Sequence, residues 1–151
     1  MRYFEDVVVG ETARFGHCEV ARDEVITFAR RYDPQPFHLS DEAAARTPFK
    51  RLAASGWHTC AMTMAMIVEH KNERQEALLG SPGIDSLRWL TPVYPGDTLR
   101  CESRVLEARR SESRPTMGLT KTEVTVFNQN NAPVLTYVAN MMMQTHAGLT
   151  D

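Results

Sequence analysis

The chain predicts an α+β fold in which one long helix packs against one antiparallel sheet, and three observations predict it. The stretch from Gly56 to about His70 is apolar nearly all round, as a buried helix is. After Pro82-Gly83 the character changes to strand-like runs, two of them alternating with period two as half-buried strands do. Turn signals, Tyr94-Pro95-Gly96-Asp97 and Asn128-Gln129-Asn130-Asn131, separate those runs, and connections this short make neighbouring strands antiparallel. A helix and a sheet that each need a covered face form a two-layer domain.

In chain order, Glu11 to Val20 reads as a first strand. Asp23 to Arg31 reads as a short amphipathic helix with Val25, Ile26, Phe28 and Ala29 apolar and Asp23 as its N-cap. Tyr32-Asp33-Pro34 stops it, because proline disfavours helix in the residue before it. Ser40 caps a second short helix that runs through Asp41, Glu42 and Ala43 to Arg46, and Thr47-Pro48 breaks it. In the long helix Met62, Met64 and Met66 read as gap-filling core rather than a cofactor box. Lys71 to Gln75 reads as a polar exit loop. The remaining strands are centred on Ile84, Leu87, Trp89, Leu90 and Val93, then Thr98 to Arg109, Leu119 to Asn128 and Val134 to Gln144.

The 151 residues suit a single domain spanning 1–151, with no repeat or linker to divide it. A hydrophobic fraction of 42% and a charged fraction of 24% are those of a soluble globular protein. A formal net charge of -2 lacks the basic footprint of a nucleic-acid binder. No apolar run is long enough for a membrane span, and the first residues lack a signal-peptide core. Cys18, Cys60 and Cys101 are an odd, scattered set that suits a reducing cytoplasm, and neither paired cysteines nor HExxH marks a metal site.

The chemistry concentrates in Tyr32-Asp33-Pro34-Gln35-Pro36-Phe37-His38, followed eighteen residues later by Gly56. Two prolines make the segment a stiff, extended turn, so Asp33 and His38 keep one relative geometry, as general acid–base work requires. Read alone, Asp33 and His38 could instead be turn-forming residues, and Gly56 a helix-start glycine.

With Ala44 after the five residues that follow His38, with Gly56, and with Gly83-Ile84-Asp85 through Thr91-Pro92-Val93-Tyr94-Pro95-Gly96-Asp97-Thr98, the chain resembles the MaoC-like dehydratases, which include the R-specific enoyl-CoA hydratases. The resemblance covers nearly the whole chain. It implies a hot-dog fold, a long central helix wrapped by the sheet, in a cytoplasmic enzyme of acyl-thioester (fatty acid) metabolism. Gln35 stands where active hydratases often have Asn, Ser55 where many members have His, and Met64 where some have Ser.

The implied activity is that of a lyase, a hydratase/dehydratase acting at the β-carbon of an enoyl or 3-hydroxyacyl thioester. Asp33 and His38 would hold a water between them, one acting as base and the other as acid. Histidine suits this work because its unperturbed pKa of about 6.5 lies near working pH. Gly56 would offer its N–H, at the positive end of the helix, to the thioester oxygen. The resemblance implies no metal and no cofactor beyond the coenzyme A, or acyl carrier, that is part of the substrate, and it implies a homodimer or higher homo-oligomer. Competing readings are a thioesterase on the same fold and a non-catalytic acyl-thioester binding domain. His58 reads as a packed or interface histidine, and His17, His70 and His146 carry no assigned role. Arg109, Arg110 and Arg114 read as a solvated charge run, with contact to coenzyme A phosphates as the alternative.

Overall fold

Asn128 closes the hairpin between β4 (Met117–Phe127) and β5 (Pro133–Gln144): its Oδ1 accepts the N–H groups of Asn130 (2.9 Å) and Ala132 (3.1 Å). The left-handed Asn131 (φ 57°) turns the chain. The computed structural model describes residues 1–149. The other elements are β1 (Thr12–Glu19), α1 (Arg22–Tyr32), α2 (Asp41–Ala44), α3 (Gly56–Glu73), β2 (Leu78–Trp89) and β3 (Thr98–Arg110). The strands form one sheet in the order β1-β3-β4-β5-β2, and each neighbouring pair is antiparallel. A central helix against this antiparallel sheet is the hot-dog arrangement implied by the resemblance.

The alternation along the strands sets the core. Leu99 and Cys101 of β3, Val124 and Val126 of β4, and Leu135 and Tyr137 of β5 are buried and pack with Met62 and Met66 of α3. At Gly16 (φ 86°) β1 bulges beneath α3; a Cβ there would lie 2.7 Å from Met66 Sδ, so the helix can approach only a glycine. Among the described residues no helix is long and apolar enough to cross a membrane.

Several boundaries differ from the expectation. The first helix starts at Arg22 with Ala21 at the cap position, and Asp23 lies inside the first turn, where its charge still favours the helix dipole. Ser40 caps α2 as expected, accepting Ala43 N–H at 3.2 Å, but the helix ends at Ala44 rather than Arg46. The expected exit loop from Lys71 begins instead with another helical turn. Lys71 Nζ (2.7 Å) and Arg74 Nε (3.4 Å) reach the buried Glu76 carboxylate, and the left-handed Gln75 (φ 53°) ends the helix.

Pro82-Gly83 lies within β2 rather than before it. An edge strand tolerates a proline, and β2 is irregular, with register shifts against β5 and a left-handed Ser86 (φ 56°). Nor is α3 buried all round. Trp57, Met64 and Val68, spaced seven and four residues apart, form an exposed apolar line.

Candidate active site

The end of α1 presents Asp33. Its N–H still bonds Ala29 O (2.9 Å), while its own backbone (φ −152°, ψ 68°) has left the helix ahead of Pro34. Gln35 is extended, and Pro36 then opens a 3-10 turn, Pro36–His38, with His38 N–H bonded to Gln35 O at 2.9 Å. The segment is thus extended only as far as Gln35. The turn carries His38 inward until it is 5% exposed.

His38 Nδ1 lies 2.7 Å from the Ala53 carbonyl oxygen. A carbonyl can only accept, so Nδ1 carries a proton, and in the neutral tautomer that this leaves, the lone pair lies at Nε2. That nitrogen stands 3.5 Å from Asp33 Oδ2. Both carboxylate oxygens are already held: Ser55 Oγ donates to Oδ2 at 2.6 Å, and Gln35 Nε2 donates to Oδ1 at 2.7 Å. Burial pushes the Asp33 carboxyl up, but the bonds from Ser55 and Gln35 and the neighbouring His38 outweigh it and leave the group below the ordinary aspartate value. Asp33 is therefore an ionised acceptor that lies beside His38 Nε2.

Gly56 is the first residue of α3, so its N–H is among the first-turn donors without an intrahelical partner. Ser55, fully buried, caps this helix by accepting Trp57 N–H at 3.2 Å. The Trp89 indole lies over Gly56 and donates from Nε1 to Gly56 O at 2.9 Å. Asp33, His38 and Gly56 all line one cavity of about 450 Å³, whose apolar walls include Phe37, Phe49, Trp57 and Trp89. A basic nitrogen beside a fixed carboxylate, facing a space that also meets a helix N-terminus, can move a proton and stabilise an oxyanion in one place.

Sequence reading missed the carboxylate's partners. Ser55 before a helix is a recognisable cap, but its bond to Asp33 joins positions 22 apart in sequence and leaves no local signal. Trp89, from β2, left none either. His58 is packed, stacked on Phe28 at 4.7 Å with its Nδ1 buried and unpartnered. His17 is exposed beside Glu19, His70 stacks on Phe15 at 4.0 Å, and His146 lies against Tyr3. Arg109 and Arg110 pair with Leu119 and Gly118, at the far ends of the strands from the Trp89–Leu135 pair beside the cavity. Arg110 there bonds Glu5 and Pro115 O. Met64 lines a second, apolar cavity of about 330 Å³ between α3 and the sheet, with Ile67, Val124 and Tyr137. Among the described residues no three His, Cys, Asp or Glu side chains gather as metal ligands.

Known proteins share the fold of this chain. The chain is 25% identical over 130 residues to the uncharacterized protein YdeM of Bacillus subtilis, covering 86% of this chain and 90% of that one. It is 33% identical over 110 residues to a 3-hydroxybutyryl-CoA dehydratase of Methylorubrum extorquens, covering 70% of this chain and 64% of the dehydratase, so it spans less than two thirds of that relative. The crystal structure of a MaoC-like dehydratase from Rhodospirillum rubrum superposes with a TM-score of 0.84 at 32% identity, over 97% of this chain and 99% of that one. Residues 6–127 match the family model of the MaoC like domain, and the chain belongs to that family.

Proposed function

We infer that this protein is a hydro-lyase that adds water to, or removes it from, the β-carbon of an acyl thioester carried by coenzyme A or an acyl carrier. The observation that carries the reading is His38, bound through Nδ1 to a backbone carbonyl with its Nε2 3.5 Å from an ionised Asp33, in a cavity shared with the first residue of α3. In the hydration direction His38 Nε2 takes a proton from water as the water oxygen bonds the β-carbon. The π electrons move toward the thioester oxygen, where the Gly56 N–H and the helix dipole stabilise the enolate. The imidazolium, steadied by Asp33, then returns the proton to the α-carbon, and the net change is one added water. Coenzyme A enters as part of the substrate, and the steps call on no metal or redox group. The exposed line Trp57, Met64 and Val68 beside the edge strand β2 supports pairing with a second copy of the chain.

The test is loss of the enoyl-thioester absorbance of crotonyl-CoA, run beside a free-thiol assay. Absorbance loss without thiol release supports the hydro-lyase. Thiol release points to a thioesterase, and silence in both assays across acyl lengths to a binding domain.

A further inference from the structure

We propose that Ser55 is a positioning residue for the acid–base pair: its hydroxyl locks the Asp33 carboxylate to the first turn of α3 and so sets carboxylate, imidazole and oxyanion donor in one rigid frame. The inference rests on the hydro-lyase reading and deepens it.

A serine hydroxyl has one proton to give. Ser55 Oγ accepts Trp57 N–H at 3.2 Å, so its own proton is free for Asp33 Oδ2, 2.6 Å away. That distance is typical of a hydroxyl donating to an ionised carboxylate. The hydroxyl is fully buried, and water does not compete for it. The oxygen it holds is the one 3.5 Å from His38 Nε2, while Gln35 holds the other. One atom thus fixes Asp33 against His38 and also caps the helix that begins with Gly56.

The titratable group facing Asp33 is His38, on the 3-10 turn; Ser55, from the start of α3, and Gln35 are neutral. Removing the Ser55 hydroxyl takes a donor from the charged form of Asp33 and leaves that charge with less to balance its burial. The carboxyl then titrates at higher pH, and the acid limb of the rate profile moves the same way.

Two substitutions separate this role from helix capping. Ser55→Ala removes both the cap and the donor; Ser55→Gly keeps a good N-cap residue but removes the donor. In the full chain, kcat and KM for crotonyl-CoA are measured across pH, and Asp33 is titrated by carboxyl ¹³C NMR. Both variants are expected to lose about tenfold or more in kcat, the worth of one charge-assisted hydrogen bond, with KM little changed and Asp33 titrating above its wild-type position. Wild-type kcat in Ser55→Gly, or an unmoved Asp33 titration in the variants, overturns the proposal. If Ser55→Ala fails to fold, Ser55→Gly carries the test. A wild-type protein silent on enoyl thioesters removes the hydro-lyase reading, and the Asp33 titration then decides the Ser55 coupling by itself.

Discussion

The Trp89 indole sits so closely on Gly56 that a Cβ at position 56 would lie 2.5 Å from the ring, even as Nε1 donates to Gly56 O at 2.9 Å. Position 56 therefore lacks a side chain for a reason of space, and the edge strand β2 holds the start of α3 from outside. Gly56→Ala must push the indole away and break its hydrogen bond. Because Trp89 is 46% exposed and can swing, the cost should sit near the low end of overpacking, about 1 kcal/mol, with a shift in tryptophan fluorescence. In the background of Trp89→Ala the same substitution should cost much less, a non-additive cycle read by chemical denaturation. Equal costs in the two backgrounds would show that the ring does not set the space.

His38→Asn and Asp33→Asn should each lower turnover of crotonyl-CoA by about 10²–10⁴-fold, the usual contribution of acid–base groups. His38→Asn leaves a side-chain amide nitrogen where Nδ1 stood, able to donate to Ala53 O, so its melting temperature should stay near that of the wild type. A variant with near-wild-type kcat would remove that residue from the mechanism.

His58 should make the fold sensitive to acid. Burial holds its imidazole below the ordinary histidine value, although Glu24 pulls the other way. The unfolded chain binds that proton more readily than the native one. The contribution is therefore intact above the unfolded pKa of about 6.5 and is lost as pH falls through the lower, native value. His58→Leu, which keeps an apolar body against Phe28, should flatten the decline in unfolding free energy between about pH 7 and pH 5. An unchanged slope would mean that His58 does not titrate differently in the two states.

Cys101 should behave in the opposite sense. Burial, and then the neighbouring Cys18, push its thiol up to about 12. Stability tied to the neutral thiol is complete below the unfolded value near 8.5 and drains away as pH rises toward the native one. Burial also raises the Tyr137 phenol, so Cys101→Ala should make the alkaline loss shallower without abolishing it. At about pH 8 a thiol reagent should reach the partly exposed Cys18 well before Cys101 in the native protein. Equal labelling rates would contradict the burial of Cys101.

Period-two patterning in 98–109 and 119–128, the polar turn at Asn128 and the apolar helix from Gly56 are local properties, and they were enough to establish an α+β architecture and its inward faces. Asp33, His38 and Gly56 were legible as candidates because prolines and a helix start give each its own backbone signature. What surrounds them was decided in three dimensions. Ser55 and Asp33 meet across 22 residues, Trp89 and Gly56 across 33, and His38 and the Ala53 carbonyl across 15. A hydrogen bond between distant positions imposes no periodicity on either one. The chain alone therefore determined which groups could react, and only packing determined that the aspartate stays charged while the imidazole is held by a backbone carbonyl with its other nitrogen beside that carboxylate.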